Sequence, residues 1–284
     1  SQNSDSYNGL MGFIAYKVGM KSAFVKDNTP NSLTKGKRIA IPVTILEAPT
    51  LKIFSTRFYK NGRVMTEIFS DNVDKELKKR VKILKAGHGK NIDDIKDYDD
   101  VRVLVYSQVK KTGLKKSPDI TEIALGGNLE EKIKFIKEHL GKEISINNVF
   151  KKGVWIDIRG VTKGKGLSGP VKRFGISLKS HKSEKGQRRP GSLGPWHPAR
   201  VARFAPQAGQ LGMFNRNFYN LKIIDIGNNP ELFSNIHKYG NVKNDYLIVS
   251  GSVPGPAKRQ ILITSPLRKT KKQEKKQYEL VEIR

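Results

Sequence analysis

The stretch KKGVWIDIRGVTKGKGLSGPVKRFGISLKSHKSEKGQRRPGSLGPWHPARVARFAPQAGQLG, residues 151–212, sets two kinds of polypeptide side by side. It opens as a strand, with Val154, Ile156 and Ile158 alternating against Trp155, Asp157 and Arg159, and then loses all apolar periodicity. Across it, fourteen Lys or Arg stand against two acids, Asp157 and Glu184, among eleven Gly. Such a composition buries too little apolar surface to offset ordering its backbone, so alone it stays largely unfolded. The cations repel one another unless a dense anion neutralises them, and nucleic acid is the simplest such partner. Glycine lets the backbone approach a ligand closely. Trp155, Phe174, Trp196 and Phe204 supply rings able to stack on unpaired bases. Read as a there-and-back excursion from Gly164 to Pro206, about twenty residues each way at ~3.3 Å per residue reach at most ~70 Å.

The whole chain shares this bias. Its 284 residues carry 54 Lys and Arg against 26 Asp and Glu, a net charge of +28, with 37% hydrophobic residues. That balance is the footprint of a nucleic-acid or anionic-membrane partner. No apolar run approaches the ~18 residues of a membrane span and no lipidation motif is present, which disfavours the membrane. The absence of Cys excludes disulfides and thiolate metal sites. Histidines 88, 139, 181, 197 and 237 lack metal-ligand spacing. The opening SQNSDSYNG resembles neither a signal nor a transit peptide, so an intracellular, soluble protein with no cofactor and no small-molecule substrate is expected.

In chain order, GFIAYKVGMKSAFV (12–25) reads as two strands about a turn at Gly19, and RIAIPVTILEAP (38–49) as a strand near an edge or bulge because of Pro42. LKIFSTRFYKNGRVMTEIFS (51–70) predicts a hairpin on a type I′ Asn61-Gly62 turn. VDKELKKRVKIL (73–84) is helical by propensity, the acidic patch NIDDIKDYDD (91–100) precedes a strand VRVLVYSQV (101–109), and KKTGLKKSPD breaks the chain at Pro118. In NLEEKIKFIKEHLG (128–141), Asn128 and Glu131 have capping-box spacing, Leu129, Ile133, Ile136 and Leu140 share a face, and Gly141 suits the position after the C-cap. NLKIIDIG, DYLIVSGSV and RQILITSP supply three late strands at barrel-like spacing, and LRKTKKQEKKQYEL (267–280) a charged tail, read as a helix facing solvent or RNA.

The expected organisation is mainly β with an α+β insert: a closed β-barrel built from 12–50, 149–163 and 216–266, the insert 51–148, a basic glycine-rich extension 164–215 and a charged tail 267–284. GVTKGKG (160–166) fails the phosphate-loop pattern, because Gly166 follows Gly164-Lys165 where Ser or Thr is required. His181 and Ser183 with Asp157 lack any spacing that defines a triad, and Asp93-Asp94, Asp99-Asp100 and Glu130-Glu131 read as solvated surface. Trp196, between Gly194-Pro195 and His197-Pro198, fits an exposed or RNA-packed ring better than a core position. GSVPGPAKR (251–259) is a rigid turn that carries Lys258 and Arg259 to a phosphate, or a plain barrel turn. The predicted RNA-binding set is Lys163, Lys165, Lys172, Arg173, His181, Lys182, Arg188, Arg189, Trp196, His197, Arg200, Arg203, Gln210, Lys258 and Arg259. An RNA-modifying enzyme and a chromatin-type DNA binder are the rival classes; the first needs a convergent acid, base or nucleophile set, and none is found.

GFIAYKVGM (12–20), GVTKGKGLSGPVKRFG (160–175), GSLGPWHPARV (191–201), QAGQLG (207–212) and GSVPGP (251–256), in this order, resemble the large-subunit ribosomal protein L-three family in its archaeal and eukaryotic form. The resemblance covers Gly12 to about Pro266 and implies a six-stranded barrel of the translation-protein type, an inserted α/β region, and an extension that penetrates large-subunit (23S-type) rRNA toward the peptidyl transferase centre. It places Trp196 at the extension tip near incoming aminoacyl-tRNA, makes His181 a candidate for histidine modification, and implies a cytoplasmic, non-catalytic structural role with early assembly of the 3′ rRNA portion. The implied neighbours are ribosomal proteins L-fourteen and L-twenty-four. Relatives carry a basic arm before the first strand, where this chain has SQNSDSYNGLM.

Overall fold

A computed structural model describes residues 9–82, 92–95, 97–268 and 270–284. The readings of residues 1–8, of His88, of the helix end at Ile83-Leu84 and of Asn91 and Lys96 in the acidic patch lie outside them. The chain divides into two compact units, one of residues 1–160 with 217–284 and one of residues 161–216.

The first unit is mainly β and holds two sheets. One contains β1 (Gly9–Leu10), β4 (Leu51–Lys60), β5 (Arg63–Phe69), β6 (Asp100–Ser107) and β7 (Ile120–Gly126) in the order β1-β7-β6-β4-β5, with β8 (Glu143–Ile144) on β4 and helix α1 (Leu129–His139) between β7 and β8 in the chain. The other contains β2 (Gly12–Asp27), β3 (Arg38–Glu47), β9 (Trp155–Val161), β12 (Asn215–Gly227), β13 (Tyr246–Ser250), β14 (Gln260–Thr264) and β15 (Tyr278–Ile283) in the order β14-β9-β12-β13-β3-β2-β15. Because β14 also pairs with β2, all of these strands except β15 close into a ring. Phe13, Ile14, Val103, Val105, Ile123, Ile156 and Ile263 are fully buried or nearly so in one core shared by the two sheets, each contributing roughly 1.5–3 kcal/mol by leaving water.

Local chemistry explains where the sequence reading held. Asn61 and Gly62 have φ of 49° and 72°, the left-handed pair a type I′ turn requires. The Asn128 amide donates to the Glu131 carboxylate (3.1 Å), and Gly141 follows the helix at φ 72°. Pro42 sits where its missing N–H does no harm: Ser22 opposite it exchanges its backbone bonds with Arg284, and β13 has already ended at Ser250, opposite Val43.

Elsewhere the structure corrects it. No turn forms at Gly19; β2 runs through and bulges at Val18, between the pairs Lys17↔Leu46 and Gly19↔Ile45. The bulge bends one strand so that residues 12–16 pair with β14 while 23–27 pair with β15. VDKELKKR makes only a single-turn helix at Lys75–Lys79, too short for propensity to sustain more. β7 was not expected. The charged tail is neither kind of helix beyond the four residues α3 (Lys271–Glu274): its end becomes β15, an edge strand that packs Tyr278, Leu280 and Ile283 on a second buried cluster containing Val25, Val43, Ile45 and Ile248. Asp157, which alternates against Val154, Ile156 and Ile158, is buried, and its carboxylate accepts the backbone N–H groups of Asn220 (2.8 Å) and Leu267 (3.0 Å).

Other buried acids tie loops to strands in the same way. Glu47, fully buried on β3, accepts the Tyr239 hydroxyl, the Lys243 and Asn244 amides (2.9 and 3.0 Å) and Asn244 Nδ2 (2.8 Å). Burial, with the Glu47 carboxylate beside it, pushes the Tyr239 phenol above its usual range, so it stays a donor. Glu47→Ala leaves these donors unpaired and should cost on the order of 3 kcal/mol in urea unfolding, with Glu47→Gln losing less. Asp27 closes the loop after β2, and hydrogen bonds from Thr29 and Thr34 hold its carboxyl well below the usual carboxylate range despite burial. The folded value is the depressed one, so the stabilisation is present above the unfolded value of ~3.9 and disappears as pH falls below it. The stability gap between the parent and Asp27→Asn, read by urea unfolding, should therefore narrow from about pH 5 to about pH 2.

Candidate nucleic-acid interface

The second unit is held at its root by backbone. Lys165 N–H donates to the Leu211 carbonyl (2.9 Å) and Leu211 N–H to that of Gly166 (3.0 Å). The short strands β10 (Leu167–Ser168) and β11 (Gly209–Gln210) then pair, Leu167 with Gln210 and Ser168 with Gly209. Gly212, buried at φ 77°, is required here: a Cβ on it would collide with the Lys163 carbonyl oxygen. Helix α2 (Pro170–Phe174) ends on Gly175 at φ 70° and turns Arg173 back to the root. There its guanidinium donates to the Gln207 carbonyl (3.0 Å) and the Gln210 carbonyl (3.2 Å) and packs over Gly209, where a side chain would displace it.

Beyond the root the chain is surface. Residues 161–216 carry twelve Lys or Arg against one acid, Glu184. Ser168 and Gly212 alone among them are buried, and nothing from 176 to 208 is. Among its described residues no ion pair neutralises a cation. Lys179 N–H donates to the Gln187 carbonyl (3.1 Å), which turns the segment back on itself. Trp196 is 89% exposed and Phe204 80%. Leu193, Pro195, Trp196, Pro198 and Val201 line an open concavity of about 300 Å³. His181 and Ser183 share no hydrogen bond, so the pair does not begin a triad.

The structure places the predicted set unevenly. Lys163 and Lys165 are exposed at the root, with Gln210, whose side-chain amide donates to the Leu211 and Gly212 carbonyls (3.1 and 3.3 Å). Lys172, His181, Lys182, Arg188, Arg189, His197, Arg200 and Arg203 are exposed along the loop. Arg173 is half-buried and committed in part to its own chain. Of the proposed stacking rings, Phe174 already carries the Arg173 guanidinium 5.0 Å from its centroid. Trp155, in the first unit, is half-buried with Lys222 Nζ 5.5 Å from its centroid, and burial with the neighbouring Lys276 ammonium lowers the Lys222 pKa.

Lys258 and Arg259 belong to the first unit, on a turn whose rigidity has a source the sequence reading missed. Lys17, buried on β2, donates its ammonium to the carbonyls of Val253 (2.5 Å) and Gly255 (3.1 Å). Backbone bonds from Lys258 N–H to the Lys17 carbonyl (2.7 Å) and from Lys17 N–H to that of Arg259 (3.0 Å) complete the tie. A lysine inside the apolar run GFIAYKVGM was the available signal.

A family model described as Ribosomal protein L3 matches residues 2–284. The chain belongs to the ribosomal protein L3 family. Similar curated proteins are each named Large ribosomal subunit protein uL3. That of Methanocaldococcus jannaschii is 42% identical over 275 residues, covering 91% of this chain and 82% of the relative. Those of Picrophilus torridus (41%; 92% and 83% covered) and Archaeoglobus fulgidus (39%; 92% and 83% covered) are comparable. Among the described residues of this L3-family chain, no group of three or more His, Asp or Glu could hold a metal ion, and no helix is long and apolar enough to cross a membrane.

Gly212→Ala should break the root of the arm. Amide hydrogen exchange reads this directly: Lys165 and Leu211 amides should lose at least about tenfold in protection, while amides of β2 and β3 keep theirs.

Proposed function

We propose that the chain is a structural, non-enzymatic constituent of the large ribosomal subunit, cytoplasmic with that subunit, and that it binds large-subunit rRNA mainly through residues 161–216. The observation that carries this reading is the second unit itself: twelve cations, one acid and almost no burial, on a root locked by backbone pairing. Cations that form no ion pair among the described residues suit phosphates on several sides, and exposed Trp196 and Phe204 suit unstacked bases. An RNA-modifying activity would need a reacting constellation, and the geometry of His181 and Ser183 supplies none.

The finer parts of the proposal rest on family membership with the pairing described above. The ring of β2, β3, β13, β12, β9 and β14 is the translation-protein-type barrel, and residues 51–148 are its α/β insert. Residues 164–215 are the extension that passes through rRNA toward the peptidyl transferase centre, with Trp196 at its far end. The protein joins the 3′ portion of the rRNA early, beside ribosomal proteins L-fourteen and L-twenty-four. In this role phosphate neutralisation fixes position, and catalysis stays with the RNA.

Deletion of residues 164–206 tests the division of labour. The remainder should unfold in urea with near-parental cooperativity and fail to co-sediment with large subunits in high salt; full co-sedimentation would sink the proposal. In the parent background, replacing Lys163, Lys165, Arg188 and Arg189 together by Ala should lower the slope of log K against log salt for rRNA by roughly 0.7–0.9 per lost contact.

A further inference from the structure

A separate cationic feature lies in the first unit, on the loop of residues 28–37 between β2 and β3. This loop has a fixed shape without any partner. The buried Asp27 carboxylate accepts Thr29 N–H (2.9 Å), Ser32 Oγ (2.8 Å) and Thr34 Oγ1 (2.5 Å), and the Asp27 carbonyl accepts Gly36 N–H (2.7 Å). Within the loop Leu33 is 98% exposed, and exposed Lys35 and Lys37 follow two and four residues later. The segment before β15 is tied to the loop by Asn28 N–H to the Gln277 carbonyl (2.9 Å) and Gln277 N–H to Thr29 Oγ1 (3.0 Å), which brings exposed Lys275 beside it.

We propose that this loop is a second rRNA-docking surface, specific for paired rather than single-stranded RNA: Leu33 enters the wide, shallow minor groove while Lys35 and Lys37 contact phosphates at its edges. The inference rests on the ribosomal reading above. Three observations select the partner. Lys35 and Lys37 form no ion pair among the described residues, residues 28–37 hold no acid, and the neighbouring carboxylates are taken up by neutral donors, Asp27 by Thr29, Ser32 and Thr34 and Glu279 by Asn28 Nδ2 (3.2 Å), so the charge the loop itself exposes is positive. The loop offers no ring for stacking, and the ring of Phe24 on β2 is already met by the guanidiniums of Arg38 (4.4 Å from its centroid) and Arg284 (5.1 Å). A preformed loop with one exposed apolar residue followed closely by two phosphate-reaching lysines therefore suits the regular backbone and ribose surface of an A-form helix better than splayed bases.

Large subunits carrying the full chain with Leu33→photoleucine, a near-isosteric exposed change, are irradiated and the crosslinked partner mapped. Crosslinks to base-paired rRNA nucleotides are expected. Crosslinks to a ribosomal protein or to single-stranded nucleotides, or a chain present at full occupancy with no rRNA crosslink, overturn the inference and leave the proposed function standing. Absence of the chain from the subunits overturns both. For the free full-length chain titrated with an A-form RNA duplex, Lys35→Ala with Lys37→Ala should lower the log K against log salt slope by about one per lysine; an unchanged slope overturns the inference.

Discussion

Electrostatic repulsion within residues 161–216 is the constraint to which the rest of the molecule is fitted. Two unit charges 10 Å apart repel by only about 0.4 kcal/mol in water, before screening. Twelve of them against one acid sum to a penalty that burial of Ser168 and Gly212 cannot offset. The segment therefore has little cohesion of its own past the root, and the root must come from something other than an apolar core. Backbone pairing supplies it, tightened where Gly212 lets two chains pass and where the Arg173 guanidinium takes two carbonyls. One cation of the arm is spent on holding the arm together.

The first unit solves the opposite problem. It has a core, but its loops must present charge at fixed places, and loops of Gly, Pro, Asn and Lys do not hold themselves. Buried polar groups on strands do the fixing: Lys17 under the 251–259 turn, Glu47 under residues 239–244, Asp157 under Asn220 and Leu267, Asp27 under residues 29–36. Each is shielded from solvent and met by several partners, the condition under which a buried charge rigidifies rather than destabilises. The same device that anchors a turn thus aims the cations it carries, Lys258 and Arg259 on one loop, Lys35 and Lys37 on another. In the proposed role, a charged arm without a core of its own and several preordered charged loops would meet an RNA surface differently: the first would take its shape from the RNA, and the second would require the RNA to fit them.

What the sequence by itself determined was whatever depends on near neighbours or on composition. Alternation and turn chemistry located most strands and the Asn61-Gly62 hairpin, capping-box spacing located the helix at 129–139, and the charge run with its glycines marked the arm and the exposure of Trp196. Motif order pointed to the family. What only the tertiary structure decided was the work of residues whose partners are far away in the chain. Gly19 lies beside a bulge instead of a turn because β3 runs along both halves of β2, and the charged tail ends as a strand because β2 offers it an open edge past the bulge. Asp157, Lys17 and Arg173 each bond backbone groups far along the chain, Asp157 the amides of Asn220 and Leu267, Lys17 the carbonyls of Val253 and Gly255, Arg173 those of Gln207 and Gln210, and no local pattern announces these partners. Sequence period records which face a side chain leaves from; whether another loop then covers that face, and supplies the hydrogen bonds that make burying a charge tolerable, is settled only when distant segments close over it.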